Sequence, residues 1–145
     1  MKVYMVSACL LGLSTRYDGK SKKNTEVVEL CKKNICIPFC PEQLGGLSTP
    51  RPPCYFIGGD GKDVLAQRAK VVEKESGKDR TMNFLKGAEE SLLIAKLTRP
   101  DAIILKDGSP SCGVSRIDLE GVKTQGCGVT CALLKKKGYR VKSYG

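Results

Sequence analysis

Residues 101–113, Asp-Ala-Ile-Ile-Leu-Lys-Asp-Gly-Ser-Pro-Ser-Cys-Gly, join a short apolar run to a polar loop. The run from Ala102 to Leu105 is typical of a buried parallel strand. In the loop, Gly108 allows a positive φ and Pro110 favours an extended conformation for Ser109. Such a loop after a strand is where α/β proteins bind ligands, so the stretch predicts that Cys112 is presented at a strand end. An ordinary turn with a half-buried thiol uses the same residue types.

Strands and helices are predicted to alternate on both sides of this stretch. Asn24 is the expected N-cap of the first helix. Strands that alternate with helices imply right-handed βαβ crossovers and a mainly parallel sheet. We therefore expect one α/β domain over residues 1–145, with a Rossmann-like sheet flanked by helices. Its functional site is expected at the C-terminal edge of the strands. The predicted strands lie at 3–7, 35–39, 102–105 and 139–143, and the predicted helices at 25–33, 79–97 and 129–137.

The middle of the chain gives weaker patterns. Residues 43–53 contain too many glycines and prolines for a helix or a central strand and are expected to form an ordered loop. Arg51 in that loop is either an anion-binding residue or half of a salt bridge. Residues 55–64 predict a hairpin around a Gly-Gly-Asp-Gly turn, residues 62–75 a short amphipathic helix, and residues 116–123 another hairpin.

The chain of 145 residues is long enough to fold on apolar burial, which makes its eight cysteines unusual. The first residues are too short for the apolar region of a signal peptide, and no apolar run approaches the ~20 residues that span a bilayer. We therefore expect a cytoplasmic protein with reduced thiols and no membrane contact. In such a protein, grouped cysteines indicate metal binding or catalysis more often than disulfides.

The sequence contains no histidine, and this excludes catalytic triads built on histidine and every imidazole metal site. Thiolate sites favour zinc, copper(I) or iron–sulfur clusters. The net charge of +10 would attract anions or nucleic acid. However, much of the excess lies in the basic runs 20–23 and 135–137, and the few aromatic residues do not alternate with them. RNA binding therefore stays an alternative and is not the favoured interpretation.

Three cysteines, Cys9, Cys40 and Cys112, follow predicted strands. Their separations in sequence, 31 and 72 residues, exclude a local metal knuckle. A parallel sheet would nevertheless bring the three sulfurs to one edge. Three thiolates on a [4Fe–4S] cluster would leave one iron open, much as a catalytic zinc keeps one open position.

The other cysteines have structural interpretations. Cys127 and Cys131 share one face at a helix start and could bind zinc or form a redox pair, but no second pair has matching spacing. Packing is the simpler explanation for both. Cys31 lies on the apolar face of the first predicted helix, and alternation in the second strand makes Cys36 a small apolar filler.

Six motifs, in this order, resemble those of the thiouracil desulfidase family, which was first catalogued as a domain of unknown function. The similarity spans nearly the whole chain. It departs from the family pattern at Cys54, where other members often have Ala-Glu after the prolines, and Cys127 and Cys131 are additions. The motifs are Ser7–Gly12, Arg16–Gly19, Cys40–Leu47, Thr49–Pro53, Phe84–Ala88 and Ser109–Gly113.

The resemblance implies a [4Fe–4S] cluster on Cys9, Cys40 and Cys112, with one iron that has no protein ligand and takes the sulfur of the substrate. It also implies catalytic roles for Glu42 and Ser109. The expected substrate is a small thiolated base such as 2-thiouracil, and the expected reaction is a hydrolytic, non-redox desulfuration. A non-catalytic iron–sulfur or zinc protein that binds RNA is the alternative. An exposed iron is easily lost to oxygen, so aerobically prepared protein can lack the cluster.

Overall fold

The computed structural model describes residues 1–144. In chain order, the strands are β1 (Val3–Ser7), β2 (Ile35–Phe39), β3 (Cys54–Ile57), β4 (Lys70–Glu73), β5 (Ala102–Lys106), β6 (Arg116–Leu119), β7 (Val122–Gln125) and β8 (Val141–Tyr144). The helices are α1 (Thr25–Lys33), α2 (Pro41–Leu44), α3 (Gly61–Leu65), α4 (Thr81–Thr98) and α5 (Val129–Lys136), and a short 3-10 helix (Ala8–Leu11) follows β1.

The first sheet confirms the predicted α/β class. Its strands lie in the order β2-β1-β5-β8, and every pairing is parallel. The strand β5 of the opening stretch is buried from Ala102 to Leu105, and the apolar faces of α4 and α5 pack in the same core. Asn24 caps α1 as predicted, because its side chain accepts a hydrogen bond from the backbone of Val27. No helix between Met1 and Tyr144 is both long and apolar enough to span a membrane.

A second sheet, which the sequence analysis did not predict, lies beside the first. Its order is β4-β3-β6-β7, with antiparallel outer pairs and one parallel pair at the centre. The predicted hairpin over residues 116–123 is confirmed as the β6–β7 pair. The sheet as a whole was not predicted, because strands of four residues are too short to show a clear alternating pattern and β7 is largely exposed.

Two predictions for the middle of the chain are wrong. The hairpin expected over residues 55–64 is absent from the described structure, because Asp60 caps α3 and ends the turn in a helix. Its carboxylate accepts hydrogen bonds from the backbone of Lys62 and Asp63 in a capping box. The helix expected over residues 62–75 ends at Leu65. The chain then forms β4, because Val71 and Val72 pair with β3 and are buried.

Cys31 and Cys36 form a disulfide, so the expectation of reduced thiols is wrong at this pair. Both residues pack against the smaller core cluster, as predicted for apolar fillers. They meet because α1 passes directly into β2, which brings the two Cα atoms to 5.4 Å. That separation lies within the usual range for disulfides. The other six cysteines are free thiols.

Two glycines allow the backbones of α2 and α4 to touch. A Cβ atom at Gly87 would overlap the carbonyl oxygen of Pro41, and one at Gly45 would overlap that of Asn83. The side chain of Asn83 also donates a hydrogen bond to the carbonyl of Gly45 at 2.9 Å. The short helix α2 directly follows Cys40, so this contact fixes the position of the end of β2.

Gly87→Ala tests that close contact. Alanine in the middle of a helix normally stabilises it by about 1 kcal/mol relative to glycine. At this position we expect the opposite sign, a loss of about 1–3 kcal/mol in the free energy of unfolding, because the added methyl group must push α2 away from α4. Urea unfolding followed by circular dichroism measures the change. Glu89→Ala, on the exposed side of the same helix, is the control, and equal stability of the two variants would contradict the prediction.

Candidate active site

A cavity of about 270 Å³ lies at the C-terminal edge of the first sheet. Cys9, Cys40 and Cys112 all line it. Each follows a different strand: Cys9 lies in the 3-10 helix after β1, Cys40 directly after β2, and Cys112 in the loop after β5. Because β2, β1 and β5 are neighbours, the structure places the three predicted cysteines around one cavity.

The three thiols are held in the protonated form by their surroundings. Burial and then the charge of Cys40 raise the pKa of both Cys9 and Cys112. Burial is also the main cause of the raised pKa of Cys40. The effect of Cys40 on both other thiols agrees with their common cavity, and a bound cation would favour the thiolate forms.

Hydrogen-bond donors face two of the sulfurs. The hydroxyl of Ser7 donates to the Sγ atom of Cys112 at 3.6 Å. The hydroxyl oxygen of Ser111 lies 3.7 Å from the same sulfur, but its one proton takes part in a shorter contact of 2.8 Å with Glu42. The guanidinium of Arg51 lies 3.9 Å from the Sγ atom of Cys40. Donors directed at sulfur favour the thiolate and tune the properties of a metal centre bound to it.

Glu42, in the first turn of α2, has partners for both of its carboxylate oxygens. Arg51 Nε donates to Oε1 at 2.9 Å, and Ser111 Oγ donates to Oε2 at 2.8 Å. The sequence allowed two interpretations of Arg51, an anion-binding residue or half of a salt bridge, and the structure shows the salt bridge. Arg51 is 8% exposed, and its remaining N–H groups bind Thr15, Ser48 and Thr49.

Ser109 shapes the loop of the opening stretch. Its hydroxyl accepts a hydrogen bond from the backbone N–H of Cys112 at 2.7 Å and lies 3.2 Å from the hydroxyl of Ser111. The direct contact to Glu42 therefore comes from Ser111, which the sequence analysis did not single out. The Ser-Pro-Ser spacing shows two hydroxyls but does not show which of them turns toward α2.

Asp107 holds the same loop in place. Its Oδ1 atom accepts backbone hydrogen bonds from Gly108 and Val114 at 2.9 and 2.8 Å, and its Oδ2 atom accepts one from the hydroxyl of Ser115 at 2.7 Å. Burial opposes ionisation, but these bonds outweigh it and hold the pKa of Asp107 far below its usual range. A carboxylate bonded in this way fixes a loop, so the position of Cys112 is set by the folded chain itself.

Positive groups complete the wall beside Cys9. Lys106 and Arg16 line the cavity, and their charges oppose the effect of burial on the Cys9 pKa. Burial and then the charge of Arg16 lower the pKa of Lys106. The cavity therefore favours anionic or strongly polar guests on this side.

Cys54 also lines the cavity, although the resemblance gave it no role. Burial and the charge of Glu42 raise its pKa to about 12, so it is a neutral thiol at neutral pH. Cys127 and Cys131 lie elsewhere, in the main core, where both are buried. Their surroundings agree with the packing interpretation, and burial raises the pKa of Cys131 to about 11.

The donor set, three thiols without histidine, is of the type that binds iron–sulfur clusters. In a cluster each thiolate binds a different iron, so ligands that surround a cavity from three strand ends suit it.

The chain is similar to known proteins over nearly its whole length. The uncharacterized protein YbbK of Bacillus subtilis (strain 168) is 45% identical over 142 residues, which cover 96% of this chain and 93% of that protein. The solved structure of the [4Fe-4S]-dependent thiouracil desulfidase TudS superposes with a TM-score of 0.83 at 41% identity, over 99% of this chain and 91% of that chain. The family model described as 2-thiouracil desulfurase matches residues 4–144. The chain therefore belongs to the 2-thiouracil desulfurase family.

Proposed function

We propose that this chain is an iron–sulfur-dependent desulfidase that hydrolyses the thiocarbonyl of a small thiolated nucleobase such as 2-thiouracil, giving the oxo base and hydrosulfide. One observation carries the proposal: three thiols from three strand ends share a cavity with a carboxylate that is held on both sides. The family and the TudS neighbour support it. They do not favour the alternative of a non-catalytic RNA-binding protein.

Cys9, Cys40 and Cys112 would hold a [4Fe–4S] cluster with one iron that has no protein ligand. When bound, such a cluster supplies a thiophilic Lewis acid for the thiocarbonyl sulfur. The residues around the three thiols limit which molecules can approach the cluster. Serine hydroxyls face Cys112, the Arg51 guanidinium faces Cys40, and Lys106 lies on the side of Cys9.

Glu42 is the proposed general base. Its carboxylate takes a proton from the attacking water, whose oxygen becomes the new carbonyl oxygen of the base. Arg51 and Ser111 hold it in one orientation, which is a condition for efficient proton transfer. Ser109 is proposed to relay a proton, passed from Glu42 through the hydroxyl of Ser111, to a ring nitrogen or to the departing sulfur, so that Glu42 returns to the carboxylate. The reaction consumes one water and releases hydrosulfide, and no oxidant or reductant is needed.

The cofactor proposal predicts the metal content of the protein. Purified without oxygen, the chain should be brown and contain about four iron and four sulfide per chain. Cys40→Ala should lower both contents, because it removes one of the three ligands, whereas Cys127→Ala should leave them unchanged. Iron, sulfide and zinc analysis of the three proteins gives the result. A colourless, zinc-only wild-type protein prepared without oxygen would overturn the proposal.

The role of Glu42 predicts a variant that is inactive but still carries the cofactor. Glu42→Gln keeps the shape of the side chain and removes the base, so turnover of 2-thiouracil should fall by about 10²–10⁴-fold. The iron content should stay at the wild-type level. Asp63→Asn, which alters a carboxylate outside the cavity, is the control. Wild-type turnover by Glu42→Gln would remove this residue from the mechanism.

A pair of serine variants separates two roles of the hydroxyls. Ser7 and Ser111 are both buried and both face the sulfur of Cys112, but the hydroxyl of Ser111 alone of the two contacts Glu42. Ser111→Ala should lower kcat by about 10–100-fold, because Glu42 loses one of its two partners. Ser111→Thr, which keeps the hydroxyl, should restore most of it. Ser7→Ala should lower kcat much less than Ser111→Ala does. Equal losses of kcat for the two variants would show that only the contact with the sulfur of Cys112 matters.

Ser109→Ala tests the proposed proton donor. The variant should lose turnover by about 10²-fold or more while it keeps the brown colour, since Ser109 is not a ligand. The measurement is single-turnover release of hydrosulfide from 2-thiouracil. Full activity of Ser109→Ala would leave Ser109 with only a role in shaping the loop, through its hydrogen bonds with the backbone of Cys112 and the hydroxyl of Ser111.

A further inference from the structure

The cavity has a second polar side that the proposed mechanism does not use. It is lined by Lys74, Asp118 and Lys123, which lie on strands of the second sheet or directly after one. Lys74 directly follows β4, Asp118 lies on β6, and Lys123 lies on β7 directly opposite Asp118 in the strand register. We call these three residues the polar wall.

Asp118 is an unusual residue for a cavity wall, because it is 5% exposed and charged. Burial opposes ionisation, but the hydrogen bond and charge of Lys74 hold its pKa below the usual range. Lys74 Nζ lies 2.6 Å from Oδ2, and the backbone of Gly121 donates to Oδ1 at 2.8 Å. The Asp118 side chain is 7% exposed and the Lys74 side chain 37%, so a buried carboxylate is paired with an ammonium that is open to solvent. A single pair of this kind is weak support for stability, so a role in binding is the better explanation for a charged pair on the cavity wall.

The chemistry of the polar wall is that of a binding site for a polar ring edge. The two lysines supply N–H donors, and Asp118 supplies an acceptor beside them. With two cations and one anion, the polar wall attracts an electron-rich oxygen of a guest more strongly than it attracts an apolar ring edge. A carbonyl next to a ring N–H presents the complementary pattern, an acceptor beside a donor.

The size of the cavity limits the guest to a small molecule. Its volume of about 270 Å³, which a guest would share with the cluster, is below the range of about 300–1,000 Å³ for pockets that bind drug-sized ligands. A single pyrimidine ring suits that space. If the sulfur of the thiolated base is directed toward Cys9, Cys40 and Cys112, the remaining polar edge of the ring is free to contact another wall of the same cavity.

We infer that the polar wall binds the carbonyl and adjacent N–H of the thiolated base and thereby selects substrates that carry an oxo group in addition to the thiocarbonyl. This inference rests on the proposed function. Lys74 and Lys123 donate to the oxo oxygen, and Asp118 accepts from the ring N–H. A site built to hydrogen-bond such groups discriminates against analogues that lack them, because its own polar groups then stay unpaired.

The test compares two ligand pairs on anaerobically prepared protein. The first pair is 2-thiouracil and pyrimidine-2-thione, which lacks the 4-oxo group, measured as kcat/KM. The second pair is uracil and pyrimidin-2-one, which also lacks the 4-oxo group, measured as Kd by calorimetry, which needs no turnover. We expect the wild type to prefer the member that carries the 4-oxo group in each pair by about tenfold or more.

The variants are Lys74→Met and the double variant Lys74→Met/Asp118→Asn, which avoids leaving a buried carboxylate without its partner. Both should weaken uracil binding and raise KM for 2-thiouracil by about tenfold, with little change for the ligands that lack the 4-oxo group. Arg68→Met, which breaks the ion pair with Asp63 outside the cavity, is the matched control. Thermal unfolding checks that each variant is folded.

The two proposals fail in different ways. If 2-thiouracil is turned over but neither KM nor uracil binding depends on Lys74 and Asp118, the polar wall is not the recognition site and the desulfidase proposal stands. If uracil binding depends on both residues but no thiolated base is turned over, the recognition site stands and the proposed reaction fails. Equal losses on all four ligands in the folded variants would also overturn the polar wall.

Discussion

The parallel pairing of β1 with β2 and β5 is the constraint on which the site depends. In this register Ser7 lies beside Phe39, and Val6 lies beside Ile104. All three strands therefore end at the same edge, where each continues into a segment that carries a cysteine. If one of these five-residue strands ran in the opposite direction, its cysteine would lie about 16 Å away at the other edge. The direction of the strands thus decides whether a three-thiol site exists at all.

Compensation of buried charge is the second requirement. The cavity combines thiols, the carboxylate of Glu42 and the guanidinium of Arg51 at low exposure. Arg51 suits this position because its planar fork reaches several acceptors at once, which a lysine cannot do. It joins α2 to the chain at Thr15 and to its own loop at Ser48. The same side chain therefore neutralises Glu42 and connects three segments of the cavity wall.

The second sheet gives the cavity its other side. The first sheet and its loops supply the sulfurs, whereas β4, β6 and β7 bring Lys74, Asp118 and Lys123 to the same space. Chemistry and recognition are thus divided between two sheets in our proposal. The close contact of α2 with α4 at Gly45 and Gly87 fixes the position of α2, the helix that carries Glu42, relative to the core.

Much of the fold was predictable because its signals are local. The apolar run of β5, the cap at Asn24 and the long amphipathic pattern of α4 each depend on residues a few positions apart, and all three are confirmed. The β3–β4 region was mispredicted because a capping box at Asp60 overrode its turn signals, and because Val71 and Val72 form a strand only when β3 is beside them. Pairing of that kind is decided by tertiary structure.

The sequence by itself determined which residue types the site can use: thiols without histidine, a carboxylate two residues after Cys40, and serines before Cys112. Only the tertiary structure decided which of them meet. It paired Arg51 with Glu42, turned Ser111 toward that carboxylate, joined Cys31 to Cys36, and added a charged wall from a second sheet. Apart from the disulfide, these contacts link side chains from separate segments of the chain. Composition and spacing limit the available chemistry, whereas packing sets the orientation of each side chain.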